Sequence, residues 1–248
     1  MMPEHLRKEF RASLKRVRDG FIIAFLGTAA AAPQIYYQSP WVYRHFQRAL
    51  PASGQLDQFF IGNLIFMLSA LLIIVLVGDL ANRRAGLKPF AWPGHKAVWP
   101  MLGAGILFVP LSYYLYDHFL LGLLPEIFPD KLKFALLFPA AVSFPDELFV
   151  RFGFLSLFAW LLKRFARGKL LAIIFVSAIF SLFDWYDMTR FITTPLKAVE
   201  ITLLLVGVFA EHLVAGRLYL KYGFWSSLAF RFGAELKYPL YFFLFFRA

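Results

Sequence analysis

The sequence predicts an all-α, polytopic transmembrane helix bundle, and three observations carry that prediction. Of the 248 residues, 60% are hydrophobic and 19% aromatic, and the mean hydropathy of +0.64 lies far from that of a soluble domain. The apolar residues are gathered into runs long enough to cross a hydrocarbon layer, each bounded by charged or Pro- and Gly-containing segments. Most of the 26 Lys and Arg fall in alternate loops, which makes one side of the bundle basic and the other acidic or neutral. About seven spans are expected, with the N-terminus inside and the C-terminus outside. The expected setting is a bacterial inner (cytoplasmic) membrane, with membrane lipids as immediate partners.

Taken in order, residues 4–19 put Leu6, Phe10, Leu14 and Val17 on one helical stripe with Arg and Lys elsewhere. That is the pattern of an interfacial, basic amphipathic helix. Its length, and the lack of a small-residue cleavage site after it, argue against a cleaved signal peptide. A first span is expected over residues 20–37, interrupted by Pro33 and Gln34, and a second over 59–80. Arg44, Arg48 and Asp57 lie between them on the outer side. Arg83, Arg84, Lys88 and Lys96 then form a basic loop before a third span over 97–116, and Asp117, Glu126 and Asp130 make the following loop acidic and external. A fourth span runs from near Lys133 to Lys163, Arg164 and Arg167, a fifth over 170–186, a sixth over 198–219 and a seventh over 224–246. No linker, low-complexity segment or repeat divides the chain, so residues 1–248 read as a single membrane domain.

Several chemistries are excluded by composition. The chain has no Cys, which removes disulfides, thiolate metal sites and a Cys nucleophile. The net charge of +11 is accounted for by the loop asymmetry and forms no groove of basic and aromatic residues, so nucleic acid is not an expected partner. There is no His-Glu-x-x-His for a zinc protease. No pair of corresponding broken spans supports an inverted-repeat transporter, although paired intramembrane charges would suit a proton relay.

The stretch Pro139 to Leu155, PAAVSFPDELFVRFGFL, sets Asp146, Glu147 and Arg151 inside an apolar run. Such residues cost several kcal/mol in hydrocarbon unless paired or facing a cavity, so they mark a working site by default. Glu147 and Arg151 are four apart with the acid first, the favourable order on one helix face. Ser143 and Asp146 have the spacing of a capping box and Pro145 suits a first turn, so a new helical segment is expected to begin here. Later spans carry Asp184 and Asp187, then Glu211 and His212, then Arg231, Glu235 and Lys237.

Depth along the helices brings these residues together. At ~1.5 Å per residue, Glu147 lies ~24 Å from Lys163, Asp184 ~22 Å from Lys169 and Glu235 ~18 Å from Gly223. Arg151 at ~18 Å and Arg231 at ~12 Å line the same interior from its basic side. The plain alternative is a structural network that pins helices together at about 0.6 to 2 kcal/mol per contact. Adjacent Asp146 and Glu147 are a costly means to that end. Asp187 and Lys237 read as side chains snorkelling to an interface, and His212 as a hydrogen-bonded packing residue before a ligand.

These motifs resemble the CAAX protease and bacteriocin-processing (CPBP, or Abi) family of intramembrane glutamic-type peptidases. That family carries Glu-Glu-x-x-x-Arg on one span, Phe-x-x-x-His on the next and His-x-x-x-Asn or Asp on the last. Asp146-Glu147-Leu-Phe-Val-Arg151, followed by Phe152-Gly153, is similar to the first motif with one Glu to Asp change. Phe180-Ser-Leu-Phe-Asp184 holds the second with Asp for His. Gly216-Arg-Leu-Tyr-Leu-Lys-Tyr-Gly223-Phe-Trp225 resembles the family's Gly and Trp signature, and Arg231-Phe-Gly-Ala-Glu235 stands where His and Asn belong. The resemblance covers residues 102–248. The aspartyl intramembrane type fits less well, because Tyr186-Asp187 is present but the only Gly-Asp, Gly78-Asp79, precedes it.

The resemblance implies an intramembrane endopeptidase that processes a membrane-associated or prenylated protein or a peptide precursor. In that role Glu147 activates water, Asp184 is its acid partner, Arg151 orients Glu147, and Arg231 or Glu235 contributes from the last helix beside Asp146. Phe180 and His212 are the candidates for contact with substrate. Because Asp184 and Arg231 replace the family's histidines, no metal site is expected. The competing expectation is a catalytically degenerate fold serving as a membrane binding or assembly partner, or in bacteriocin immunity, with the two Arg closing the carboxylates into ion pairs.

Overall fold

The computed structural model describes residues 4–47, 54–192 and 194–246, leaving aside the side chains of residues 4–8, 10 and 11. Leu6 and Phe10 of the amphipathic stripe, and Arg48, therefore lie outside the described residues. All regular structure among the described residues is helical. Helix α1 (Glu4–Gln47) runs unbroken through the basic stretch and the first apolar run, with Pro33 and Pro40 inside it. Helix α2 (Gln55–Ala85) stops at Gly86, whose φ of 71° lets its N–H reach back to the Arg83 carbonyl.

Helix α3 (His95–Ser112) passes through a π-helical segment, Tyr113–Asp117, into α4 (His118–Leu123). After a 3-10 turn at Pro125–Ile127, α5 (Leu132–Asp146) continues through a second π-helical segment, Glu147–Leu155, into α6 (Ser156–Leu161). Then come α7 (Gly168–Thr189), α8 (Ala198–Tyr222), α9 (Phe224–Glu235) and α10 (Lys237–Tyr241), with a last π-helical segment at Phe242–Phe246.

Among the described residues, 5 helical stretches are long and apolar enough to cross a membrane: Ala12–Phe46, Gln55–Ala85, His95–Leu123, Gly168–Thr189 and Ala198–Tyr222. The chain is therefore an all-α membrane protein. The other two apolar segments, over 132–161 and 224–246, are helical but assembled from shorter α and π pieces. Outward faces are apolar, with Phe66 73% and Leu107 77% exposed, as hydrocarbon around the bundle requires.

The expected helix start at Ser143 is corrected: the helix passes straight through it, Ser143 caps nothing, and its buried hydroxyl has no hydrogen-bond partner. Pro145 has no N–H to donate to the preceding turn, and two residues later the chain adopts the wider i to i+5 pattern. The external loop is corrected too. Asp117 is 1% exposed, inside the π-helical turn that ends α3, and not in a solvated acidic loop.

Close backbone approaches fix the packing. A Cβ on Gly105 of α3 would fall on the Phe230 carbonyl of α9, and one on Gly233 of α9 would fall on the Leu102 carbonyl of α3. The two helices thus cross at glycines that face each other, the small-residue contact that membrane helices use to bring backbones together. A Cβ on Gly78 of α2 would likewise strike the Phe152 carbonyl of the π-helical segment. Around that contact lies the largest apolar cluster, with Leu71 and Val75 of α2, Leu148 and Leu155, Val176 of α7 and Phe224 of α9.

Gly105→Ala is expected to lower stability by about 1–3 kcal/mol through overpacking. Gly103→Ala, on the same helix with open space at its Cβ, is expected to be neutral or to gain up to about 1 kcal/mol from helix propensity. Thermal unfolding of the two variants in detergent checks the contrast.

Candidate functional site: a buried ion-pair network

The π-helical segment decides which acid Arg151 holds. In an α-helix a residue lies over its i+4 neighbour, whereas the π pattern runs from i to i+5. Accordingly Arg151 Nη1 donates to Asp146 Oδ2 at 3.0 Å, while its Nε stands 3.4 Å from Glu147 Oε1 without a hydrogen bond. The ion pair with Glu147 that the sequence spacing pointed to is present, and the register of the wider helix adds Asp146, which takes the hydrogen bond. Glu147 is 0% exposed and neither of its oxygens has a hydrogen-bond partner.

Arg151 also reaches α8. Its Nη2 lies 2.8 Å from His212 Nδ1, and since a guanidinium only donates, Nδ1 accepts. The ring proton then sits on Nε2, which donates to Asp184 Oδ2 of α7 at 3.0 Å. His212 is thus the link between the π-helical segment that carries Arg151 and α7, with the Phe180 ring 6.2 Å from it and packed on Phe149 and Phe154.

The second centre is Arg231 of α9. It donates to Glu211 of α8 in a short contact, lies 3.2 Å from Asp146 Oδ2 and lies 3.2 Å from Glu235 Oε1. Asp146 is therefore shared by two guanidinium groups on different helices. Glu211 Oε2 accepts from the Tyr116 hydroxyl at 3.2 Å. Glu235 Oε2 is 4.0 Å from Lys237 Nζ, which pairs with Asp117 at 3.2 Å, and Asp117 also accepts from the Tyr241 hydroxyl at 3.0 Å. Lys237 lies over the Tyr116 ring at 5.2 Å, a desolvated cation on an aromatic face. Its expected reach to an interface is corrected: the aliphatic stem turns inward to a buried carboxylate. Asp187 does remain half-exposed, paired with Arg190 at 2.9 Å.

Asp146, Arg151, Asp184, Arg231, Glu235 and His212 thus form one hydrogen-bonded and ion-paired chain, with Glu147 in contact through Arg151. Asp184 meets Glu147 only by way of His212 and Arg151. The expected chamber is largely filled by the charges themselves, since Arg151 is 1% and Arg231 8% exposed. Access is left at Asp146, with 25% of its side chain exposed, and at Asp184, with 36%.

Sequence reasoning noted Glu211 without placing it in the site, and missed Tyr116 and Asp117. Glu211 carried a signal, an acid beside His212 deep in an apolar helix. Asp117 did not, because an acid after an apolar run reads as the start of a loop. A further unpredicted cluster braces the π-helical segment from behind. Asn82 Oδ1 lies 3.0 Å from both Ser156 Oγ and the Tyr219 hydroxyl, and Asn82 Nδ2 donates to the carbonyls of Gly78 at 2.8 Å and Phe152 at 3.4 Å. Ser156 Oγ also lies 3.2 Å from the Arg151 carbonyl.

Among the described residues no group of three or more His, Asp or Glu is disposed to hold a metal ion. No family model matches the chain, and neither a curated protein nor a solved structure matches it.

Arg231→Met strands Glu211 and weakens the pairing of Asp146 and Glu235, and breaking a buried pair in this way is expected to cost about 3–5 kcal/mol. Asp187→Asn, which removes an exposed pair, is expected to cost no more than about 1 kcal/mol. Unfolding curves of both variants in the same detergent test the difference.

Proposed function

We propose that the chain is a CPBP-like intramembrane endopeptidase, acting on a membrane-associated or prenylated protein or a peptide precursor. The observation that carries this reading is Glu147: a fully enclosed carboxylate with no hydrogen bond, set on a π-helical turn beside Asp146 and Arg151. A buried acid held only by an ion pair with Arg151, without a hydrogen bond, is costly, and π-helical turns recur at functional sites.

In this reading substrate approaches by way of Asp146 and Asp184, and the π-helical segment opens around Glu147. Glu147 takes a proton from water as the water oxygen bonds to the scissile carbonyl carbon. The resulting oxyanion is held by Arg231, which exchanges one of its carboxylate contacts for it. The protonated Glu147 then gives that proton to the departing amine as the C–N bond breaks, which restores its carboxylate, and Asp184 stands as the second acid of the site, hydrogen-bonded to His212. We further propose about seven spans with the N-terminus inside, a core over residues 102–248, and a bacterial inner membrane as the setting.

A second reading is favoured by one specific observation. Arg231 is already shared by three carboxylates, and both ring nitrogens of His212 are occupied. A site closed in this way suits a catalytically degenerate scaffold that binds a membrane partner.

Glu147→Gln is nearly isosteric and separates the two. For the peptidase, cleavage of a candidate membrane substrate falls at least ~100-fold with helicity and thermal midpoint preserved. Unchanged cleavage removes Glu147 from the chemistry. For the scaffold, no cleavage is seen in either form and a co-purifying membrane protein is retained by the variant.

A further inference from the structure

The basic end of the bundle holds a site that the ion-pair network does not use. A cavity of about 310 Å³ opens there between the α2–α3 connection, the start of α7 and the junction of α8 and α9. Lys88, Lys169 and Lys221 rim it from three separate segments, and Gly86, Tyr219 and Gly223 form part of its wall. All three lysines are exposed, and among the described residues none has a carboxylate partner. The acids at the same ends of α2 and α1, Asp79 and Asp19, are taken by Arg83 at 2.7 Å and Arg18 at 2.8 Å. Three lysines therefore line one cavity, and among the described residues no carboxylate pairs with them.

The ordinary account of surface lysines is a solvated face that sets topology. Two features set this place apart. The lysines come from separate segments that line one cavity, and two of those segments are joined where the Phe224 N–H donates to the Pro89 carbonyl at 2.7 Å. Beside it, Trp92, 54% exposed, lies 6.1 Å from the Trp225 ring, with Tyr222 also on the cavity wall. Trp and Tyr with one apolar and one wet side mark the level of lipid headgroups. A cationic cavity between membrane helices at that level has the chemistry of an anionic-headgroup site.

We propose that this cavity binds the phosphate of an anionic membrane lipid, with Lys88, Lys169 and Lys221 as its ligands. A headgroup at this level keeps its acyl chains in the bilayer, beside the apolar outer faces of α7 and α8 where Leu170 and Val214 are exposed. The inference stands apart from the peptidase reading, because none of its residues belongs to the ion-pair network.

The test uses the purified full chain in neutral detergent at low ionic strength, with lipid adducts counted by native mass spectrometry. Phosphatidylglycerol is expected to bind and phosphatidylcholine to bind far more weakly. The triple variant Lys88→Gln, Lys169→Gln, Lys221→Gln is expected to lose roughly 100-fold in phosphatidylglycerol affinity, about fivefold per lysine. The corresponding triple Lys→Arg variant is expected to retain it, which controls for folding. Arg164→Gln with Arg167→Gln lowers charge on the same face outside the cavity and is expected to leave binding within about twofold. Equal binding of the two lipids, or an equal loss in the Arg164 and Arg167 variant, overturns the proposal in favour of diffuse surface charge. Displacement of phosphatidylglycerol by millimolar inorganic phosphate overturns the lipid as the source and leaves a soluble phosphate site.

Discussion

A carboxylate inside a hydrocarbon layer has to find a cation, and much of the arrangement of this bundle follows from that constraint. Arg151 and Arg231, on different helices, meet at Asp146. Through it the helices carrying Glu211, His212 and Asp184 are tied into one network, and Lys237 extends it to Asp117. The pairing energy of any one contact is modest, because desolvating both partners offsets most of the attraction. What the network supplies is register. Sliding α8 or α9 by one residue would turn Glu211 or Arg231 out of its partner's reach and leave a charge facing lipid, which is far costlier than losing an apolar contact.

The π-helical segment over Glu147–Leu155 is the second device. Its wider turn leaves backbone carbonyls that an α-helix would direct to their own ladder, and side chains from neighbouring helices meet them. Asn82 of α2 reaches the Phe152 carbonyl and Ser156 reaches the Arg151 carbonyl. The close approach at Gly78 makes the first of these possible, since any larger residue would hold α2 away. A turn that is stable only because several outside groups support it is a local compromise, and here it places Asp146, Glu147 and Arg151.

Much of this was legible in the sequence. The apolar runs, their alternation with basic loops and the depth of the charged residues were enough to identify a helical membrane bundle and to bring acids from separate helices to one level. Two things were not legible. Helix type was one: the i, i+4 rule assumes 3.6 residues per turn, so the Glu147–Arg151 pair was legible while the hydrogen bond from Arg151 to Asp146, set by the wider turn, was not. The expected capping box at Ser143 failed for a related reason, since Pro145 loosens the helix without ending it. Partner choice was the other. Whether Lys237 snorkels outward or folds inward depends on Asp117, and nothing local distinguishes a buried acid at a helix end from a loop acid. Tertiary contacts decide such cases.

An imidazole stands at the centre of the network although neither Asp184 nor Arg231 supplies it. His212 of α8 faces Asp184 of α7, so an acid and an imidazole meet there. On the peptidase reading, that imidazole can exchange a proton only once Nδ1 is released by Arg151. Glu147 offers Arg151 a destination, for its oxygens lack hydrogen bonds and one already lies 3.4 Å from Nε. Turning the guanidinium from His212 to Glu147 exchanges one charge-assisted contact for another and leaves Arg151 paired with an acid throughout. On that reading the contacts of Arg151 change while its charge stays paired. That small difference is why the same residues can be read as a locked scaffold or as a catalytic centre, and why the carboxylate of Glu147 is the group on which the two readings part.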